Sequence, residues 1–135
     1  FEIGKAVHMA EGTDVSIIAT GHMVWYAVEA ARKLEAKGIS VDLINIHTIK
    51  PLDEAAILNS AQKTKAVIVA EEHQQLGGLG ESVAGLLARK SPTAMEFVAV
   101  QDSFGESGKP AELLDKYGLS INNIFDAAER VIKRK

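Results

Sequence analysis

The sequence concentrates its reactive side chains in the segment 71–80, where two adjacent carboxylates, Glu71 and Glu72, precede the imidazole of His73. Carboxylates held close together can share a proton, and an imidazole beside them can accept or donate one. This pattern is therefore a candidate for acid–base chemistry. Polar side chains at strand ends also serve interfaces, and that alternative applies to Glu72 and His73.

Three glycines in the same segment, Gly77, Gly78 and Gly80, could cradle a phosphate on their backbone N–H groups. A dinucleotide site would need more than this. Its fingerprint has a third small residue where this sequence has Val83, and it follows the first strand of the fold rather than a late one. The sequence thus disfavours a dinucleotide site.

Two further loops have residues worth testing. Gly21 and His22 lead into a predicted helix, where free backbone N–H groups can hold an anion, although a tight strand-to-helix turn explains one glycine equally well. Phe104 lies in the polar segment 101–108, whose serine lacks the flanking glycine spacing of a hydrolase nucleophile elbow. We expect the Phe104 ring to pack against the body of the protein and to leave its edge to solvent or to a partner.

The composition excludes several other classes of site. The chain has no cysteine, which excludes disulfides and thiolate chemistry, and its four histidines lack the spacings of zinc ligands. A net charge of -3 argues against nucleic acid as a partner, and the basic run 133–135 is better explained as the end of a helix. Because no apolar run approaches ~20 residues, we expect no membrane span and a cytoplasmic location. The chain begins with Phe1 instead of Met, so we expect it to be a fragment of a longer protein.

The elements that must position these residues alternate between strands and helices, which predicts parallel strands joined by helical crossovers. We expect one domain over residues 1–135, built as a three-layer α/β/α sandwich around a mostly parallel five-stranded sheet with one antiparallel edge strand. In such a sheet, ligands bind at the carboxyl ends of the strands. The predicted strands are 5–10, 15–19, 41–46, 66–70 and 96–100, and the predicted helices are 22–37, one opened by Pro51 and Asp53, 81–89, 110–117 ended by Gly118, and one capped by Ser120.

Five groups of residues follow one another in a fixed order: 14–21, 48–53, 69–73 with 77–81, 102–108, and 113–114 with 116–119. Their residues and their order resemble the C-terminal domain of transketolases over nearly the whole chain. The wider superfamily includes deoxyxylulose phosphate synthase and the beta subunits of 2-oxoacid dehydrogenases, and the ending of this chain is more similar to transketolase itself.

The resemblance implies a division of labour between domains. In this family the upstream diphosphate-binding domain holds thiamine diphosphate through Mg²⁺ with a Gly-Asp-Gly motif, and the pyrimidine-binding domain activates the cofactor. This sequence contains no Gly-Asp-Gly, so no catalytic, cofactor-binding or metal-binding residue is carried over to it. The implied role is a non-catalytic assembly domain of an enzyme that transfers a two-carbon ketol unit between sugar phosphates, with a homodimeric parent of one long chain or of separate subunits.

One alternative from a different class remains open. Gly21, His22, Glu72, His73 and Gly78 all fall at what should be one end of the sheet, which would suit a regulatory module that binds a phosphate or a nucleotide. A complete enzyme on this chain alone is disfavoured, because spacing reveals no paired acid, base and nucleophile.

Overall fold

The computed structural model describes residues 4–21, 23–47, 51–72, 78–100 and 110–135 of the chain. It confirms the expected five-stranded sheet. The strands are β1 Val7–Ala10, β2 Val15–Ala19, β3 Val41–Asn45, β4 Ala66–Glu72 and β5 Ala94–Val100. They lie in the order β1-β3-β2-β4-β5. The edge strand β1 is antiparallel to β3, and every other neighbouring pair is parallel.

Two helices cover each face of the sheet, as a three-layer sandwich requires. The helices are α1 Met23–Ala36, α2 Glu54–Thr64, α3 Gly78–Lys90 and α4 Pro110–Lys133. Helices α1 and α4 pack on one face, over side chains that include Ile17 and Ile68. Helices α2 and α3 pack on the other face, over Ile18 and Val69. Consecutive residues of a strand therefore lie in opposite cores, since their side chains alternate across the strand.

The apolar run in β4 is explained by burial on both faces. Residues 66–70 are all buried, because β4 lies between β2 and β5 with a helix layer above and below. A strand in this position has no solvent face, so it shows no polar alternation. The middle of the sheet is β2 rather than β4, and β2 is likewise buried over its whole length.

Helix boundaries follow the expected chemistry at two points. The Asp53 carboxylate accepts a hydrogen bond from the Ala56 backbone N–H at 3.2 Å, which makes Asp53 the N-cap of α2 as the sequence predicted. Gly38 follows α1 with a φ of 83°, a left-handed conformation that favours glycine. A Cβ there would meet no neighbouring atom within 4 Å, so the backbone angle is the reason for the glycine.

The expectation of two C-terminal helices was wrong. Residues 110–133 form one continuous helix, with Gly118 and Ser120 inside it rather than at its boundaries. Ser120 is almost fully buried, as are Ile124, Ala128 and Val131 further along. A glycine inside a helix costs only about 1 kcal/mol relative to alanine. Burial of these residues outweighs that cost and favours a helix that continues through Gly118.

Substituting Gly118 by alanine should distinguish a continuous helix from two helices. A Cβ at Gly118 would meet no atom within 4 Å. We expect Gly118→Ala to raise the free energy of unfolding by about 0.5–1 kcal/mol through helix propensity and a less flexible unfolded chain. Urea denaturation followed by circular dichroism measures this change.

The matched control is Gly38→Ala, where the positive φ of 83° would strain alanine. This variant should lower the free energy of unfolding by about 1 kcal/mol. If Gly118→Ala were destabilising to the same degree, Gly118 would have to end a helix, and the continuous α4 would be refuted.

Candidate functional site

The carboxyl ends of β2 and β4 form the point at which the strand order reverses. The chain runs from β2 outward to β3 and then returns across β2 to β4. Ala19 and Ala70 are partners in the register of β2 and β4, so Gly21 and Glu72 follow at the same end of neighbouring strands. The structure thus places Gly21 and Glu72 at the edge of the sheet where open α/β folds bind ligands.

Of the predicted site residues, four belong to the described part of the chain, namely Gly21, Glu72, Gly78 and Gly80. The other four, His22, His73, Gly77 and Phe104, lie outside the described residues. Their proposed roles at a ligand site or an interface stay predictions.

Gly21 forms a tight turn into α1. Its φ is 53°, and no atom lies within 4 Å of the position a Cβ would take. The backbone N–H groups of Met23 and Val24 donate to the carbonyls of Thr20 and Gly21 at 3.0 and 3.2 Å. The turn already uses these two N–H groups, and the anion site at Gly21 stays a prediction.

Glu71 and Glu72 do not form a carboxylate pair. They are consecutive residues of β4, so their side chains project to opposite faces of the sheet. Glu71 lies on the α3 face, where its Oε1 accepts a hydrogen bond from the Leu79 backbone N–H at 2.8 Å. Glu72 is half-buried at the other face.

The Glu71 carboxylate caps the start of α3. It is only 6% exposed and lies beside the first turn of the helix, where free N–H groups and the helix dipole favour an anion. Gly80 allows this approach, since a Cβ there would lie 2.6 Å from Glu71 Oε2 and 2.9 Å from the Phe97 ring. The geometry thus gives Glu71 and Gly80 a structural task, and the sequence signal for it was the anion placed ahead of a glycine-rich helix start.

A second polar cluster, which sequence reasoning missed, lies at the opposite end of the sheet. Asp42, the second residue of β3, is fully buried. Its Oδ1 accepts hydrogen bonds from His8 Nε2 at 2.8 Å, from the Gly12 backbone N–H at 3.0 Å and from Lys63 Nζ at 2.7 Å. Its Oδ2 accepts one from Ser60 Oγ at 2.5 Å.

Three hydroxyl groups extend this cluster into the layer between β2 and α2. Ser16 Oγ lies 2.6 Å from Ser60 Oγ and 2.7 Å from Thr64 Oγ1, and all three residues are buried. Thr64 Oγ1 also lies 3.1 Å from the Ser60 carbonyl oxygen and 3.0 Å from that of Ala66, and its one proton can be donated to either. The sequence signal was available, because Asp42 is the one charged residue in a strand that is otherwise apolar apart from its last residue.

The electrostatics of Asp42 are dominated by two opposing effects. Burial raises the pKa of the carboxyl, but hydrogen bonds from Lys63, Ser60, Gly12 and His8 outweigh it and hold the pKa below its usual value. The hydrogen bond to Asp42 is also the main cause of a raised pKa at Lys63. The pair is therefore ionised at neutral pH.

A groove of about 310 Å³ runs beside this cluster between β1 and α2, with Ile44 and Ala56 among its apolar lining residues. His8, Lys63 and Asp42 contact one another there, and Asn59 also lines the groove.

Among the described residues, no three His, Asp or Glu side chains lie close enough together to share a metal ion. Helices in the same part of the chain are also too short or too polar to cross a membrane.

Comparison with known proteins decides the family. Residues 4–124 match the family model described as "Transketolase, C-terminal domain". The chain belongs to the transketolase C-terminal domain family. The five-stranded mixed sheet agrees with this assignment.

Two named proteins contain a segment similar to this transketolase C-terminal domain. The chain is 45% identical to the 6-deoxy-6-sulfo-D-fructose transketolase subunit of Clostridium sp. (strain MSTE9), covering 100% of this chain and 42% of that protein. It is 39% identical to the 1-deoxy-D-xylulose-5-phosphate synthase of Desulforudis audaxviator (strain MP104C), covering 94% of this chain and 20% of that one.

A solved structure, described as a split gene transketolase in an inactive beta4 tetramer, has a TM-score of 0.83 and 41% identity. The similarity covers 98% of this chain and 44% of the chain in that structure. The transketolase C-terminal domain described here thus spans less than half of the length of each of these relatives.

Substitution of Gly80 should test the contact between Glu71 and α3. We expect Gly80→Ala to lower the free energy of unfolding by about 1 kcal/mol or more, because the new methyl group overlaps the Glu71 carboxylate and the Phe97 ring. The matched variant is Gly85→Ala in the same helix, where the Cβ meets only the flexible end of Arg89 at 3.2 Å. It should be stabilising by up to about 1 kcal/mol. Equal stabilisation by both variants in urea denaturation would show that Glu71 does not cap α3.

Substitution of Asp42 should weaken the protein in a pH-dependent way. With its pKa lowered on folding, Asp42 contributes stability above the ordinary Asp value of about 3.9, and this contribution is lost as the pH falls through the folded pKa. Asp42→Asn should therefore cost about 2–4 kcal/mol at pH 7, and the difference from the unsubstituted protein should shrink below about pH 4. Urea titrations across this range measure both.

The control for Asp42 is Glu129→Gln, which removes an exposed pair with Lys37. This change should stay within about 0.5 kcal/mol at every pH. A pH-independent loss in Asp42→Asn would contradict the ionic role of Asp42.

Proposed function

We propose that this chain is the assembly domain of a split, transketolase-type subunit, in an enzyme that transfers a two-carbon ketol unit between sugar phosphates. The observation that carries the proposal is the family match over residues 4–124, together with a relative named as a transketolase subunit. That subunit is somewhat more than twice as long as this chain. The remaining length would accommodate one upstream domain, the pyrimidine-binding domain.

The cofactor would then be held outside this domain. Thiamine diphosphate supplies the carbanion chemistry of ketol transfer, and the protein around it orients the reactants and excludes water. Glu71 is engaged with α3 and Asp42 with its own cluster, so neither buried carboxylate is available for Mg²⁺. We assign thiamine diphosphate and Mg²⁺ to the upstream domain and to a separate diphosphate-binding subunit.

The task of this domain would be to hold the upstream domain and to associate subunits. An active site built between subunits needs such support, because small displacements of catalytic groups are costly in rate. Self-association is supported by a relative at 41% identity whose structure is described as a beta4 tetramer.

The proposal is tested by titrating the 135-residue chain with thiamine diphosphate and MgCl₂ in a calorimeter. We expect no saturable heat from the chain. The full-length protein, combined with the diphosphate-binding subunit, should retain thiamine diphosphate and transfer a ketol unit from a ketose phosphate to an aldose phosphate in a coupled assay.

Two results would contradict this assignment. Saturable cofactor binding by the chain would place a cofactor site on this domain. Ketol transfer by the chain without its partner domains would refute the assembly role.

A further inference from the structure

The two edges of the sheet are protected to very different degrees. The β1 edge has four residues, a bulge between His8 and Ala10, and the charged neighbours Lys5 and Glu11. These are the features by which proteins prevent their edge strands from pairing with other chains. Asp42 also holds this edge through His8 and Gly12, so β1 is poorly suited to pair with a further strand.

The β5 edge lacks this protection. It is seven residues long, contains no proline or lysine, and pairs with β4 in an unbroken parallel register. Among the described residues, β5 has β4 as its one strand partner, so half of its backbone N–H and C=O groups face away from the sheet. A long, regular and apolar edge is a template for another strand.

The side chains of β5 match this backbone pattern. Phe97 is 53% exposed, and its ring lies against Gly80 on the α3 face. Val98 and Val100 point to the opposite face and are buried under α1 and α4. A half-exposed aromatic ring at the centre of an open edge is the type of residue that anchors protein interfaces.

The charges along β5 are already balanced. Glu96 is the one ionisable residue of the strand, and it is paired with Arg130 at 3.2 Å and with Arg134. Arg134 also donates to the Met95 carbonyl at 2.7 Å, which covers the beginning of the edge. Beyond it, Phe97 is exposed and Ala99 is partly exposed. A second copy of the same strand would therefore bring no unpaired charge into the interface.

We propose that β5 pairs antiparallel with β5 of a second copy over residues 97–100, so that the two sheets become one continuous sheet across a two-fold axis. The inference rests on the proposed self-association of this domain and names the surface responsible. A two-fold axis brings the same patch of both copies together, which requires a surface compatible with itself. The apolar, charge-balanced β5 edge meets this requirement, and the β1 edge does not.

The test is photo-crosslinking in the full-length protein from position 97. Phe97→p-benzoylphenylalanine keeps the aromatic ring and attaches covalently to whatever contacts it. We expect a product of twice the subunit mass, with peptides from both copies mapping to β5. Trp25→p-benzoylphenylalanine is the matched control, because Trp25 is also an aromatic residue and is 50% exposed, but lies on α1. It should give no such product.

Each other outcome would overturn the proposal. Cross-linking within one subunit would show that the upstream domain contacts β5, and cross-linking to a different polypeptide would show that the partner subunit does. If no cross-link formed, no protein would contact position 97.

A second measurement distinguishes failure of this proposed surface from failure of the proposed function. Phe97→Asp should convert the associated protein to a smaller species in sedimentation velocity, while circular dichroism reports an unchanged fold. If the protein stays associated and position 97 gives no doubled product, the surface is wrong and self-association stands. If the unsubstituted protein is monomeric at every concentration, the assembly role fails as well.

Discussion

The buried carboxylate of Asp42 is the interaction on which the organisation of the sheet depends. Asp42 is fully buried, and a buried charge needs hydrogen bonds and an opposite charge to offset its desolvation in the low-dielectric interior. Its four hydrogen bonds come from β1, from the turn after β1 and from α2, which are separate parts of the chain. One side chain thereby fixes the edge strand and the end of a helix against β3.

This constraint has a consequence for where the domain can act. At the amino end of the parallel strands, the polar groups around Asp42 bind one another, and Lys135 Nζ donates to the carbonyls of Asp14 and Thr64. At the carboxyl end, Glu71 binds the start of α3. The prominent polar groups of the described chain thus stabilise the fold itself. This agrees with the assembly role proposed above, for which the β5 edge is the proposed surface.

Much of the fold was predictable because local signals and global packing agree. The buried runs of β2 and β4, the N-cap at Asp53 and the left-handed glycine at Gly38 each follow from residue type and spacing. Helix α4 was mispredicted, because Gly118 and Ser120 are local signals for a boundary. Burial of Ile124, Ala128 and Val131 outweighs a local preference of about 1 kcal/mol, and this burial is a property of the packed protein.

The sequence by itself determined the alternation of elements, the two-sided burial of the sheet and the membership in a transketolase-like family, since these depend on periodicity and on motif order along the chain. Tertiary structure alone decided which polar groups meet. Glu71 and Glu72 are adjacent in sequence but separated by the pleat, whereas His8, Asp42 and Lys63 are distant in sequence and in contact in space. The physical reason is that hydrogen bonds and charges act over a few ångströms, and only the packing of α2 against the sheet sets those distances.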